Sequence, residues 1–391
     1  MTPTRVVPLI KPDLPSLEDV RAGFEEILGN GRISNFGKYA TAFENECGAY
    51  LGTKTVTVSS GTAGLLFALT ALGLQPGEKV VFPSMTFMAT AQAVRYAGGV
   101  PVYAEIDEDL NISPRDLEQL LAQNSDVGAV IAVHLYGLPA KVTEIQAIVD
   151  AASRKRGKKI ALIYDAAHGF GASVDGRKVG GFGDAEVFSL SVTKTLVSVE
   201  GGLISTNNPE LIERVRSMRN YGIKSNYNAH LPGLNSKMSE FHAIVGLHNL
   251  RRLDALMAAR QGRGRWYFEE IRKRTGFQCA EWPKNVVHTL KDLTVLVREG
   301  QKERDDVIRF LGERGVETRA YFYPPVHEQE LFRQYATRAL PRTESLSRRV
   351  ITLPFFTTIS DEEIAYVTEQ LGAAELACLG QRVATADRSF A

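Results

Sequence analysis

The chain has 391 residues, 44% apolar and 23% charged, the balance of a globular protein long enough for two domains. Its formal net charge of +1 gives no electrostatic case for binding nucleic acid or an acidic membrane surface, and no apolar run is long enough to span a bilayer. The three cysteines, Cys47, Cys279 and Cys378, lie far apart without a CxxC pair, so neither a metal site nor a disulfide framework is expected and a reducing cytoplasm suits them.

The N-terminus carries Pro3, Pro8 and Pro12 among early charges, which does not make a signal peptide. Apolar residues at helical spacing (Leu17, Val20, Phe24, Ile27, Leu28) predict a helix over 15–29 stopped by Gly29, and a second helix covers 38–51. Short β-rich segments then alternate with helices. Strands are expected at 56–58, 79–82, 100–104, 127–133 and 160–164, with helices to Leu72 and over 88–97, 113–122 and 141–155. This alternation predicts an α/β fold with a mostly parallel sheet between helices, and places ligands at the carboxyl ends of its strands. After Gly202 the pattern changes. Residues 209–219 and 237–274 read as helical. A smaller α+β portion follows, with strands over 289–297 and 317–323 and helices over 301–315 and 361–371. A boundary near 250 divides a large domain, 1–250, from a small C-terminal one, 251–391, and the last ~15 residues lack a period and are expected to fray.

Several junctions carry chemistry. Ser59-Ser60-Gly61-Thr62-Ala63 joins a strand to a helix, where free backbone N–H groups and the dipole suit a phosphate, although simple helix capping reads the same residues. Phe87 ends the segment Pro83-Ser84-Met85-Thr86-Phe87, either as a core aromatic or as a stacking platform. Asp165 follows an apolar strand, so its carboxylate needs a partner, either a structural cation or a ligand N–H. His168 could touch a cofactor's phenolic oxygen, hold Asp165, or be a structural histidine. Ser189 reads as a second phosphate contact or a backbone-bonded serine. Lys194 lies among Leu190, Val192, Leu196 and Val197, either snorkelling or desolvated into a nucleophilic amine. Taken together, a lysine for a Schiff base and a carboxylate for a pyridine nitrogen are what pyridoxal 5′-phosphate chemistry needs. The glycine-rich stretch 169–183 holds no nucleotide-binding motif, and Glu269 and Glu270 read as exposed helix face.

The ordered blocks from about residue 8 to about residue 371 resemble the DegT/DnrJ/EryC1/StrS family of sugar aminotransferases, pyridoxal phosphate enzymes of fold type I. The carriers are the segments just quoted together with Val133-His134-Leu135-Tyr136-Gly137, Glu200-Gly201-Gly202, Arg219-Asn220-Tyr221-Gly222, Pro232-Gly233-Leu234-Asn235 and Thr318–His327. The resemblance implies that Lys194 is the Schiff-base lysine and proton shuttle, that Asp165 pairs with the ring nitrogen, and that His168 lies beside it. It implies that Phe87 stacks on the ring, and that Gly61, Thr62 and Ser189 hold the phosphate. Asn235 would reach the phosphate of a neighbouring subunit, making a homodimer with shared active sites. Two departures touch substrate contacts: Ser236 stands where the family usually has an aromatic, and Leu190-Ser191-Val192 where a histidine or similar residue is usual. Lys194 itself argues against the dehydratase branch, in which that lysine is a histidine.

The implied reaction moves an amino group from L-glutamate to a nucleotide-linked 4-keto-6-deoxyhexose, since the loop Gly31–Tyr39 looks like that of 4-aminating relatives such as perosamine synthases. Arg219, Lys224, Lys237 and Arg319 are candidates for the diphosphate, and Tyr321 and His327 for the sugar pocket. Other acceptors stay open, a 3-keto sugar nucleotide or a keto-cyclitol, as does a non-catalytic cofactor-binding sensor.

Overall fold

In the computed structural model, residues 5–380 and 389–390 are described. Two helices, α1 (Leu17–Asn30) and α2 (Lys38–Leu51), precede an alternating run. That run is β1 (Lys54–Val58), α3 (Gly61–Ala71), β2 (Lys79–Pro83), α4 (Ala89–Tyr96), β3 (Val100–Ala104), α5 (Pro114–Gln123), β4 (Val127–Val133), α6 (Val142–Arg156) and β5 (Ala161–Asp165). A small hairpin, β6 (Ser173–Val174) and β7 (Arg177–Lys178), leads to β8 (Ala185–Ser189) and β9 (Gly202–Thr206). Next come α7 (Pro209–Met218), the hairpin β10 (Ile223–Ser225) and β11 (Asn228–Ala229), α8 (Glu240–Arg251) and α9 (Leu253–Arg274). The chain ends with β12 (Gln278–Ala280), β13 (Val286–Val287), β14 (Leu293–Leu296), α10 (Gln301–Glu313), α11 (Pro341–Ser347), β15 (Val350–Leu353), α12 (Asp361–Leu379) and β16 (Ser389–Phe390).

The central sheet runs β1-β9-β8-β5-β4-β2-β3. Its strands are parallel except β9, which is antiparallel to both neighbours. Side chains alternate between two cores, as a strand's two-residue period requires. Val80, Phe82, Ile131 and Ile163 face the core shared with α3 and α7, while Val81, Val130, Leu162 and Tyr164 face that of α5 and α6. Because β1 and β8 are both antiparallel to β9, the carboxyl ends of β1, β2, β4, β5 and β8 all lie at one edge. A smaller sheet, β15-β14-β12-β16, packs with α9, α10 and α12 around a third core that includes Tyr267, Val295, Val307 and Leu371. No helix among the described residues is long and apolar enough to cross a membrane.

Several boundaries differ from the sequence-based expectation. Gly31, in the left-handed region at φ 67°, ends α1, where Gly29 was expected to stop it. The expected helix over 237–274 breaks at Arg252 into α8 and α9. The stretch 317–323 is not a strand: only Arg319 bridges to Thr352 before the chain turns, although its threonine and aromatic residues favour one. The strand expected over 289–297 is confined to Leu293–Leu296, since Leu290 takes φ 52°. The last helix runs to Leu379, past the expected Leu371, because Val367, Leu371 and Ala374 keep one face in the core. Of the expected fraying tail, residues 381–388 and 391 lie outside the described residues, and 389–390 pair with β12. Glu270, expected on an exposed face, is buried and paired with Lys273 and Arg274.

Candidate active site

The gathered carboxyl ends of the strands border a cavity of about 390 Å³. Ser60, the N-cap of α3, accepts a hydrogen bond from Ala63 N–H. The next donors toward the helix start, Gly61 and Thr62, line the cavity with the positive end of the dipole behind them. Gly61 lets α3 start close against β8: a Cβ there would stand 3.1 Å from the Ser189 Cβ, a tight contact that the neighbour would have to yield to. Gly202 allows the same close approach from β9, where a Cβ would lie 2.4 Å from the Ser60 carbonyl. The result is a cradle of amides at a helix N-terminus, suited to a phosphate.

Asp165 ends β5, buried at the cavity floor. Thr90 donates to its Oδ2 at 2.8 Å and Ala167 N–H to its Oδ1 at 3.1 Å. Burial pushes the carboxyl up, and those two hydrogen bonds and the Lys194 charge only partly oppose it. A carboxylate offers about four acceptor sites, so capacity remains for a cationic N–H. His168 accepts from Tyr136 N–H through Nδ1 at 3.1 Å, and burial holds its pKa well below the usual range. The ring is therefore neutral and carries its proton on Nε2. Behind it, His134 stacks on Tyr164 at 4.9 Å and reaches the buried Glu186 at 3.1 Å.

Lys194 sits in the irregular segment after β8. Burial, with the nearby Lys291 charge, lowers its amine to about 8, and the carboxylates Asp292, Asp165 and Glu200 oppose the shift. A lysine tuned this way is neutral often enough near neutrality to attack an aldehyde and to exchange protons. Phe87 stands half exposed at the rim, its ring 5.9 Å from that of Phe322. A buried carboxylate, a depressed amine, an aromatic rim and an amide cradle fit a phosphorylated pyridine aldehyde.

Of the residues expected from sequence, Gly61, Thr62, Phe87, Asp165, His168, Ser189, Lys194 and Tyr321 border this cavity. His327 does not: it is buried behind β2, with Nδ1 2.6 Å from Ser84 Oγ and Nε2 3.5 Å from Glu344. Asn235 is exposed, bridging to Asn220 and outside the cavity of its own chain. Ser236, where an aromatic was the family habit, places its Oγ 2.7 Å from Ser59 Oγ and so ties this segment to the cradle. Arg219, a candidate for a diphosphate, is instead buried, bonded to Glu44 and the Thr57 carbonyl and covered by Phe36 at 4.3 Å. Lys237 is engaged by Asn220 at 3.1 Å, while Lys224 and Arg319 are exposed. Among the cavity residues that escaped the sequence reading are Lys291 and Asp292, whose charged pair stands at an irregular bend just before β14.

The DegT/DnrJ/EryC1/StrS aminotransferase family model matches residues 17–372. The chain is 30% identical to GDP-perosamine synthase of Vibrio cholerae over 92% of its own length and 96% of that protein's. It is 31% identical to a UDP-N-acetyl-3-dehydro-alpha-D-glucosamine 3-aminotransferase of Acidithiobacillus ferrooxidans, over 94% and 97% of the two chains. Among solved structures, DesI determined in the presence of its TDP-sugar product superposes with a TM-score of 0.86 at 32% identity, covering 95% of this chain and 94% of that one.

Proposed function

Since this chain belongs to the DegT/DnrJ/EryC1/StrS aminotransferase family, whose cofactor is pyridoxal 5′-phosphate, we propose that it moves an amino group from L-glutamate to a nucleotide-linked 4-keto-6-deoxyhexose. The products are 2-oxoglutarate and the 4-amino sugar nucleotide. The observation that carries the chemistry is the Lys194 amine, held near 8 in the same cavity as the buried Asp165. The acceptor reading is supported by the likeness to GDP-perosamine synthase and to DesI, whose structure was determined in the presence of its TDP-sugar product, each similar over nearly the full chain.

Bound pyridoxal phosphate supplies an aldehyde to take up the amine and a ring to accept the electron pair released when the α-proton leaves. The Gly61 and Thr62 amides with the Ser189 hydroxyl would hold its phosphate. Asp165, held by Thr90 and Ala167 N–H, would keep the ring nitrogen protonated. Phe87 would pack on the ring, and His168 would offer it the Nε2 proton. Lys194 Nζ would take the α-proton of glutamate and return a proton to the aldehyde-derived carbon, then carry out both transfers in reverse with the sugar. Tyr321 lines the cavity and would face the sugar. Asn235, exposed on its own chain, completes the phosphate site of a second copy in a homodimer. Cys47 and Cys279 are buried thiols, and a reducing cytoplasm suits them.

The 3-aminating relative from Acidithiobacillus supports a second acceptor, a 3-keto sugar nucleotide. The two separate in one experiment. The purified yellow enzyme should bleach with L-glutamate and regain its colour on adding a nucleotide-linked 4-keto-6-deoxyhexose. Recovery with a 3-keto sugar nucleotide alone would overturn the C4 assignment.

A further inference from the structure

We propose that Lys291 and Asp292 form a clamp for a hydroxyl group of the sugar acceptor and so help to determine which sugar is taken; this rests on the acceptor reading above. Adjacent residues of a regular strand point to opposite faces. Here the left-handed Leu290, φ 52°, precedes a bend in which Lys291 N–H donates to the Tyr136 carbonyl at 2.9 Å, and both side chains turn into the cavity. Lys291 Nζ lies 2.7 Å from Asp292 Oδ1, with side-chain exposures of 5% and 1%. Asp292 Oδ2 is buried and accepts no hydrogen bond among the described residues.

An ion pair serving only to stabilise the fold would leave that oxygen desolvated without compensation, which is costly. The pair therefore presents one open acceptor beside an ammonium with donors to spare. A carboxylate ligand would have to compete with Asp292 for Lys291 and would sit against its negative charge. An ammonium ligand meets the converse problem at Lys291. A hydroxyl satisfies both, donating its proton to Asp292 Oδ2 while its oxygen accepts from Lys291 Nζ. Tyr321 and Phe322 line the same cavity, and Tyr136, stacked on Phe322 with ring centroids 6.4 Å apart, has its hydroxyl committed to the Tyr321 carbonyl. A site built this way discriminates strongly, because a ligand lacking the hydroxyl leaves buried polar groups unpaired.

The test is calorimetric titration of the holoenzyme with GDP-perosamine and with dTDP-4-amino-4,6-dideoxy-D-glucose, and separately with glutarate, an unreactive dicarboxylate that stands in for the donor. The charge-neutral double variant Lys291→Met/Asp292→Asn should bind the amino sugar at least tenfold more weakly and glutarate within threefold of wild type. Asp292→Asn alone, which leaves the lysine in place should the double variant not fold, should weaken the sugar without weakening glutarate. A tenfold loss of glutarate affinity in the double variant would make the pair a donor-carboxylate site and overturn the proposal, as would unchanged affinity for both ligands. A wild-type enzyme that binds glutarate but neither amino sugar would count against the C4 acceptor itself, and thereby against the clamp.

Discussion

At the scale of single residues, the chemistry depends on how far the Lys194 amine is shifted. Its value of about 8 means that the free amine is largely neutral one unit above that pH, where an ordinary lysine is still charged. Only the neutral amine attacks an aldehyde. The rate at which cofactor-free protein captures pyridoxal phosphate should rise with pH and level off above about 8, measured by stopped-flow absorbance. Lys291 is one of the groups that lower this amine, so Lys291→Met should move the plateau to higher pH. A plateau that stays put would show that the Lys291 charge is not felt at Lys194. Replacing Lys194 with alanine removes the base from both half-reactions, and turnover should fall by about a thousandfold or more in a steady-state assay.

At the scale of elements, the site depends on how closely β9 and the start of α3 approach. Gly202→Ala would place a Cβ 2.4 Å from the Ser60 carbonyl, backbone that cannot swing aside as a flexible side chain would. The amide cradle must then open, and affinity for pyridoxal phosphate should drop by about tenfold or more in equilibrium dialysis. Unchanged affinity would mean that the cradle contributes little to holding the phosphate. Part of the cradle was readable from sequence, because Asp165 and the turn after Val58 each follow a short β-rich run expected as a strand. The strands β8, which ends at Ser189, and β9 were not among those expected, since the glutamate in Ala185–Ser189 and the glycines around Gly202 interrupt any apolar run. Lys291 and Asp292 were not readable either, because the bend at Leu290 is held by hydrogen bonds from Lys291 N–H to the Tyr136 carbonyl and from Arg260 to the Leu290 carbonyl, partners far away in sequence. Arg219 looked like a free cation for the same reason: its partner Glu44 lies 175 positions earlier, and no local pattern records the pairing. The segment 317–323 shows the opposite error: its threonine and aromatic residues favour a strand, but only one bridge forms.

At the scale of the whole molecule, the large sheet is complete by Thr206 and the small one is built from Gln278 onward, with the α8–α9 break at Arg252 between them. We propose this break, close to the boundary near 250, as the junction of two domains. The proposed homodimer gives a sharper prediction. If Asn235 serves the partner's phosphate, a Lys194→Ala chain and an Asn235→Asp chain should complement each other when denatured together and refolded. Each mixed dimer then carries one intact site, and the mixture should recover about a quarter of wild-type activity. No recovery would place Asn235 in the site of its own chain.

All of this rests on which amine meets the cofactor, and the cavity offers two, Lys194 and Lys291. Borohydride reduction of the yellow holoenzyme, followed by proteolysis and mass spectrometry of the pyridoxyl-bearing peptide, identifies it directly. The adduct is expected on Lys194; an adduct on Lys291, or none at all, would contradict the assignment.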